Sequence, residues 1–282
     1  MQQTDDGAAP GLIAGAGSLP LEAARLLRSG GSPPSAIAFE GLTDPGLAAE
    51  VGCIRWLRLG QLEEMARALS DLDLQAWLLV GKVPKTVIFG AGGVASPDAE
   101  ALQLLAESRD HGDEALMTAI ARWLDRRGFS LCDQGRTLRA LLAPEGPLGA
   151  RAPNAGELAD LEIGWPILQQ LGRAGVGQCI VMKQGCVLAV EAIEGTDAAI
   201  RRAGEVGGPG ATVIKAARPD QDRRFDLPAV GPGTLDAMRA AGATALAIEA
   251  GSTLLLDRAA FIEAADRAEI AVWGFETGRG AA

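Results

Sequence analysis

The chain has 282 residues, of which 48% are hydrophobic and 4% aromatic, and it carries a formal net charge of −10 at pH 7. This length supports two compact domains with buried cores, while the negative charge and scarce aromatics disfavour binding to nucleic acid. No run approaches the roughly 18 apolar residues of a membrane-spanning helix, and the polar N-terminus lacks the features of a signal peptide, so we expect a cytoplasmic protein.

The first half of the chain alternates short apolar runs with segments of helical periodicity. The apolar runs at 11–15, 36–39, 53–58 and 76–81 predict strands, and the patterns between them predict crossover helices. Buried strands joined by helices are typical of a parallel sheet. We therefore predict an α/β fold whose N-terminal domain, residues 1–145, is a Rossmann-like parallel sheet.

A stretch dense in proline and glycine, residues 143–156, indicates the connection to a second domain, residues 146–282. In that domain two apolar runs flank Lys183-Gln184-Gly185, which predicts a β-hairpin. Later strands are predicted at 211–216, 245–250, 253–257 and 270–274. Because hairpin and crossover connections are mixed, we predict a mixed α/β (α+β) domain.

The first predicted strand runs into the turn Gly15-Ala16-Gly17-Ser18, which precedes a helix. Backbone N–H groups at a helix N-terminus favour a phosphate. A dinucleotide fingerprint also needs a third glycine and an acidic residue after the second strand; here Glu40 fills the acidic position, and Pro20 replaces the glycine. Three interpretations stay open: an NAD site, a site for another phosphorylated ligand, or a plain strand-to-helix turn.

The chain contains a single histidine, His111, in a polar stretch before a predicted helix. Zinc hydrolases and His-rich dimetal phosphoesterases need several imidazole ligands, and the four cysteines lack the short spacings of a zinc site. Any metal should therefore be an oxygen-ligated cation such as Mg²⁺. We expect His111 to be a surface-loop residue.

Acidic residues interrupt the apolar pattern of the second half in "VEAIEGTDA", residues 190–198. Glu191 stands in a run otherwise typical of a buried strand, and a buried carboxylate needs a cation, a basic residue or hydrogen-bond donors. Gly195, Thr196 and Asp197 are compatible with a binding turn, and equally with ordinary capping of the next helix.

The segment 213–232 combines Lys215, at the end of an apolar run, with alternating aspartates and arginines. Such a run is often a solvated loop, but "FDLPAVGP" surrounds Asp226 with apolar and conformationally restricted residues. A carboxylate held rigidly beside arginines suits Mg²⁺ ligation, or the orientation of a water against a phosphoryl group. The pattern favours a functional role for Asp226, with Asp222 as the second candidate.

Five blocks of the sequence are distinctive when taken together: "GLIAGAGSLP", "VGKVPK", "GQCIVMKQGCVLAVEAIEGTDAAIRRAG", "KAARPDQDRRFDLPAVGPGTL" and "EAGSTLLLDR". They resemble the LpxI-type UDP-2,3-diacylglucosamine pyrophosphatases over nearly the whole chain. The resemblance implies a cytoplasmic, Mg²⁺-dependent homodimer that acts in lipid A assembly. It would hydrolyse UDP-2,3-diacylglucosamine to UMP and 2,3-diacylglucosamine 1-phosphate (lipid X), with the substrate between the two domains and the family's catalytic aspartate at Asp226.

The residue patterns and the resemblance together predict the site. Asp226 and Asp222 are the catalytic candidates, and Asp226 and Glu191 are the candidate Mg²⁺ ligands. The candidate substrate-binding residues are Gly15, Gly17, Ser18, Gly81, Lys82, Lys183, Gly195, Thr196, Asp197, Lys215, Gln221 and Arg224. We expect the first domain to bind the uridine end, water to attack the β-phosphorus, and the lipid substrate to bring the enzyme into peripheral contact with the membrane. The alternatives are a non-catalytic nucleotide- or nucleotide-lipid-binding protein and an NAD-dependent enzyme.

Overall fold

A computed structural model describes residues 9–83, 96–108 and 112–276 of the chain. The chain divides into two compact units, Met1–Leu138 and Arg139–Ala282. His111, which we expected in a surface loop, lies outside the described residues, as does the end of the "VGKVPK" block.

The first unit contains a parallel sheet with helices in the connections between its strands. In the part of the unit that the structure describes, five strands follow the order β3-β2-β1-β4-β5, and every neighbouring pair is parallel. The strands are β1 (Gly11–Ala14), β2 (Ser35–Phe39), β3 (Cys53–Leu57), β4 (Ala76–Val80) and β5 (Ser130–Leu131). The helices are α1 (Leu19–Ser29), α2 (Leu62–Asp71), α3 (Ala99–Ser108), α4 (Gly112–Asp125) and α5 (Gln134–Thr137), with a 3₁₀ turn at Pro45–Ala49.

This arrangement confirms the predicted Rossmann-like domain, and its strands agree with the apolar runs to within about one residue. The reason is burial on both faces of the sheet. Leu12 and Ala14 in β1 and Ile37 in β2 are all fully buried, as expected where crossover helices cover a parallel sheet. The two-residue strand β5 does not coincide with an apolar run, and it was not predicted.

The second unit is built on a mixed sheet, which confirms the predicted class. Its strand order is β6-β13-β11-β9-β7-β8; β9, β11 and β13 are parallel, and β6, β7 and β8 join antiparallel. The strands are β6 (Gly146–Pro147), β7 (Cys179–Lys183), β8 (Cys186–Val190), β9 (Thr212–Lys215), β10 (Ala229–Val230), β11 (Ala245–Glu249), β12 (Leu254–Leu255) and β13 (Ala271–Phe275). The helices are α6 (Ala155–Arg173), α7 (Thr196–Gly207), α8 (Pro232–Ala241) and α9 (Arg258–Arg267), with a 3₁₀ turn at Arg139–Leu141.

The predicted hairpin is present, with Lys183 paired to Cys186 across Gln184 and Gly185. The strand predicted at 253–257 is shorter than expected. Only Leu254–Leu255 forms a strand, and it pairs with β10 in a separate two-stranded sheet.

The units divide a few residues before the predicted boundary at 145/146, because the start of the proline- and glycine-rich stretch belongs to the second unit. The Ala143 N–H donates to the Thr253 carbonyl at 2.9 Å. Gly146–Pro147 then pairs with β13 as an edge strand. These backbone hydrogen bonds hold the stretch to the second sheet, so it is not a free connection.

Two layers of apolar side chains cover the second sheet. Val213, Leu246 and Val272 lie in one cluster with helix residues such as Met238 and Phe261, while alternate strand residues lie in a second cluster beside α6. This alternation follows the period of two along a strand. Apolar side chains therefore cover both faces of the second sheet.

Candidate functional site

The centre of the site is Lys215, the last residue of β9 and only 6% exposed. Its Nζ donates to Thr196 Oγ1 at 2.7 Å, and Thr196 Oγ1 donates to Glu191 Oε1 at 3.0 Å. A hydroxyl between an ammonium and a carboxylate accepts from one and donates to the other, so its orientation is determined. Three residues that the sequence analysis singled out are thus joined in one chain of hydrogen bonds.

Glu191 follows directly after β8, where the strand ends, and it is half-buried. Its second carboxylate oxygen accepts a hydrogen bond from the Gln178 backbone N–H at 3.4 Å. The partners that a buried carboxylate requires are therefore supplied by Thr196 and Gln178. A role of Glu191 as a metal ligand stays a prediction.

Gln178 connects this chain to the loop that carries Asp226. Its Nε2 donates to Gln221 Oε1 at 2.9 Å, and the same oxygen accepts the Arg218 backbone N–H at 2.9 Å. Gln221 Nε2 in turn donates to the Asp226 Oδ2 at 3.2 Å and to the Asp226 backbone carbonyl. Sequence reasoning missed Gln178; the one available signal is a polar side chain directly before a buried strand.

Asp226 lies in the left-handed region of the backbone map, with φ of 67°. Its side chain is 59% exposed, and Arg218 Nη2 lies 3.2 Å from its Oδ2. Phe225 and Leu227 on either side are 3% and 6% exposed and anchor the loop in the core. A left-handed non-glycine residue costs roughly 1–2 kcal/mol, and such strain clusters at functional sites. The loop thus presents one carboxylate to solvent in a restrained position.

Asp222 has a different partner. Arg224 donates to both of its oxygens, with Nη2 to Oδ2 at 2.7 Å and Nε to Oδ1 at 3.0 Å. These hydrogen bonds hold the pKa of the Asp222 carboxyl below its usual range, although partial burial opposes the shift. Both oxygens of Asp222 therefore contact Arg224, whereas Asp226 contacts Arg218 and Gln221.

The remaining predicted residues of this unit divide into two groups. Gly195 and Asp197 flank Thr196 at the start of α7. Burial raises the pKa of the nearby Cys179 thiol, and the negative charges of Glu191 and Asp197 raise it further. Lys183 lies at the opposite end of β7 from Cys179, which pairs with Lys215, and its Nζ donates to the Gly207 carbonyl at 2.6 Å. The structure does not bring Lys183 together with the site.

A cavity of about 280 Å³ lies beside the Asp226 loop. It is lined by Trp165, Gln169, Ala217, Arg218, Pro219, Gln221, Arg223, Leu227, Glu249 and Ser252. Glu249 ends β11 next to Lys215 on β9, and its Oε2 accepts the Ala217 backbone N–H at 2.8 Å. Sequence reasoning missed Arg218, Arg223 and Glu249 as site residues. Glu249 could have been found by the same signal as Lys215, because each is a charged residue at the end of an apolar strand.

The donor chemistry of this site is compatible with Mg²⁺. In the described ranges no three His, Cys, Asp or Glu side chains lie close enough to bind a metal together. Mg²⁺ usually takes one or two protein carboxylates and completes its coordination with substrate phosphates and water. An exposed, restrained carboxylate such as Asp226 fits a site of that kind.

In the first unit, the turn after β1 pairs with the segment after β4. The Ala16 N–H donates to the Lys82 carbonyl at 2.8 Å, and the Lys82 N–H donates to the Ala16 carbonyl at 3.0 Å. A Cβ on Gly81, whose φ is 88°, would lie 2.7 Å from the Ala16 carbonyl oxygen, and one on Gly15 would lie 2.6 Å from that of Lys82. These two glycines are required by the close approach of the two turns.

Gly17 and Ser18 are exposed beyond this contact. Gly17 has φ of 95°, and a Cβ there would meet nothing within 4 Å. Gly17 and Glu40 line one cavity of about 760 Å³, together with Trp56 and the segment 41–45. The acidic residue after β2 and the glycine turn after β1 therefore face the same space.

Two family models match the chain. The LpxI N-terminal domain matches residues 10–141, and the LpxI C-terminal domain matches residues 144–273. A UDP-2,3-diacylglucosamine pyrophosphatase LpxI of Caulobacter vibrioides is 30% identical over 283 aligned positions, which cover 94% of this chain and 97% of the relative. In the described residues no helix is both long and apolar enough to cross a membrane.

Proposed function

The chain belongs to the LpxI family, and from this premise we propose that it hydrolyses UDP-2,3-diacylglucosamine to UMP and 2,3-diacylglucosamine 1-phosphate (lipid X) in lipid A biosynthesis. Family membership makes it a hydrolase of a diphosphate bond. The aligned region includes both units, so the proposal concerns the whole enzyme and not one shared domain.

One observation of the site carries the proposal: hydrogen bonds link the Asp226 loop, through Gln221, Gln178 and Glu191, to Thr196 and the buried Lys215. Cleavage of a diphosphate increases negative charge on the bridging oxygen, which preorganised cations and donors stabilise. Lys215 and Arg218 supply positive charge in fixed positions. We propose that the Asp226 carboxylate orients the attacking water, and its 59% exposure supports this role.

We propose that Asp226 also holds Mg²⁺, with diphosphate oxygens and water completing the coordination. When bound, the ion would neutralise charge that develops on the diphosphate. Arg218 and Gln221 restrain the Asp226 carboxylate for that role. Glu191 remains the second predicted ligand, and its hydrogen bonds to Thr196 and Gln178 support a positioning role as well.

We propose that the attacked atom is the β-phosphorus. A bond forms from the water oxygen to the β-phosphorus while the bond from that phosphorus to the bridging oxygen breaks. UMP leaves with the bridging oxygen, and the new P–O bond belongs to lipid X. We also propose that the enzyme is a cytoplasmic homodimer that reaches the membrane only through its lipid substrate.

The direct test is release of UMP from UDP-2,3-diacylglucosamine by the purified full chain with Mg²⁺. We expect turnover that EDTA abolishes and that added Mg²⁺, but not Zn²⁺, restores. Saturable binding without UMP release would contradict the proposal and favour a non-catalytic nucleotide-lipid-binding protein. Tight binding of NAD(H) in a parallel titration would favour the NAD-dependent alternative.

A further inference from the structure

We propose that Gln178 is a positioning residue for the hydrolysis: its side chain fixes the orientation of the Gln221 amide, so that Nε2 of Gln221, and not Oε1, faces Asp226. The inference rests on the proposed function for the reaction. It adds which residue outside the Asp226 loop sets the direction of the hydrogen bonds within that loop. Gln178 acts through Gln221, so it is not itself a catalytic residue.

The direction of these hydrogen bonds is set by groups that can only donate or only accept. The Arg218 backbone N–H donates to Gln221 Oε1 at 2.9 Å. At the other end of the amide, the Asp226 backbone carbonyl and its carboxylate both accept from Gln221 Nε2, the carboxylate at 3.2 Å. One orientation of the Gln221 amide satisfies all three partners. Gln178 must then present its own Nε2 to Gln221 Oε1, as it does at 2.9 Å.

The backbone of Gln178 is held in place directly before β7. Gly177 has φ of 55°, and a Cβ there would overlap the Glu191 carbonyl oxygen, so the close approach of these two segments requires glycine. The Gln178 N–H donates to Glu191 Oε2 at 3.4 Å, and the Gln178 carbonyl accepts the N–H of Ala216, the residue after β9, at 3.1 Å. The backbone is thus bonded to the ends of β8 and β9, and the side chain reaches the Asp226 loop.

The Asp226 carboxylate depends on this arrangement because it is 59% exposed and water competes for its hydrogen bonds. It keeps one position only while the donors of Arg218 and Gln221 both face it. If the Gln221 amide turned over, its Oε1 would face two acceptor oxygens of Asp226 and repel them. The turned amide would also leave the Arg218 backbone N–H without its acceptor. Because the effect is on the position of a reacting group, it should lower kcat and leave KM unchanged.

The test compares two substitutions of Gln178 in the full chain. Gln178→Glu keeps the size of the side chain but replaces the donor with an acceptor, so it repels Gln221 Oε1 or turns that amide away from Asp226; we expect kcat for UMP release about tenfold lower and KM within about twofold. Gln178→Leu leaves Gln221 oriented by the Arg218 N–H and should lower kcat only about threefold. A role in packing alone would reverse this order, because Leu changes the shape more than Glu does. The matched control Gln184→Glu, exposed after the opposite end of β7, should change neither constant.

NMR of the chain labelled with ¹⁵N-glutamine measures the orientation without turnover. The Gln221 side-chain amide, assigned by its loss in Gln221→Glu, should exchange slowly with water, and in Gln178→Glu it should shift and exchange faster. An unchanged resonance, a kcat within about threefold of the original in Gln178→Glu, or a larger loss in Gln178→Leu would overturn the inference while the proposed function stands. The expected amide changes in a chain that releases no UMP would confirm the hydrogen-bond direction and reject the proposed function, and with it the role in hydrolysis.

Discussion

Lys215 Nζ donates to Thr196 Oγ1 at 2.7 Å, which joins the end of a buried strand to the first residue of α7. The hydroxyl is the only atom between the ammonium and the Glu191 carboxylate in this chain of hydrogen bonds. Its removal therefore deprives two charged groups of a partner at once. This relationship makes Thr196 the most informative small substitution in the second unit.

We expect Thr196→Val to lower kcat at least tenfold and the free energy of unfolding by about 2 kcal/mol, since charged groups lose hydrogen bonds. Thr196→Ser keeps the hydroxyl and should stay within about threefold of the original kcat. Steady-state kinetics and urea denaturation measure both effects. A Val variant with the original rate would remove this hydroxyl from the catalytic machinery.

The two candidate aspartates should respond differently. Asp226→Asn, which preserves a side chain tolerant of the left-handed backbone, should lower kcat about 10²–10³-fold with UMP binding retained. Asp222→Asn should cost less than about tenfold, because its carboxylate mainly orders Arg224. Both variants are assayed for UMP release under saturating substrate. A larger loss in Asp222→Asn would exchange the roles assigned to the two residues.

Hydrolysis in ¹⁸O-labelled water identifies the phosphorus that is attacked. If water attacks the β-phosphorus, the label enters lipid X and UMP leaves unlabelled. Mass spectrometry of both products after a single turnover gives the answer. Label recovered in UMP would show attack at the α-phosphorus and would reverse the proposed leaving group.

Two glycines of the first unit provide a matched pair for stability. Gly81→Ala places a Cβ 2.7 Å from the Ala16 carbonyl oxygen at φ of 88°, so we expect a loss of about 3 kcal/mol in the free energy of unfolding. Gly17→Ala has a similar φ but open space, and should cost about 1 kcal/mol. Thermal denaturation compares them. Equal losses would mean that glycine is required at position 81 because of its backbone conformation, and not because of the contact between the two turns.

Glu157 should make the second unit sensitive to acid. This carboxylate is 4% exposed; it accepts hydrogen bonds from Arg151 Nη2 at 2.8 Å, Thr244 Oγ1 at 2.7 Å and the Asn154 N–H at 2.8 Å. Burial opposes its ionisation, but these donors outweigh burial and lower the pKa of Glu157 below its usual 4.5. Its stabilising effect is therefore complete above pH 4.5 and is lost as pH falls through the lowered pKa.

At pH 7 we expect Glu157→Gln to reduce the free energy of unfolding by about 3 kcal/mol, because Arg151 loses a buried partner. The difference from the original chain should shrink as pH falls below 4.5. Glu263→Gln, which breaks an exposed pair with Arg267 on α9, is the control and should change stability by less than about 0.5 kcal/mol. A constant difference across the acid range would contradict the assigned pKa direction.

Local patterns were sufficient for much of the fold. Apolar runs and glycine or proline breaks predicted most strands, the hairpin at Lys183-Gln184-Gly185 and the helix after Thr196, because each depends on residues that are close in sequence. The same signals failed where pairing depends on distant partners. β5 has two residues and forms only because it lies beside β4, and the segment 143–147 is fixed by Thr253 and β13.

The sequence by itself determined the fold class, the family resemblance that the family models confirm, and the residue types available for diphosphate chemistry. Only the tertiary structure decided which of them meet. Gln178 and Gln221 stand 43 positions apart, yet their side chains are hydrogen-bonded to each other. They connect the Asp226 loop to the end of β9 because the antiparallel β7 begins at the edge of the sheet where β9 ends. Lys183 resembled Lys215 in sequence and lies at the other end, because β7 runs antiparallel to β9. Strand order and direction are non-local properties, and they assign each charged side chain to its edge of the sheet.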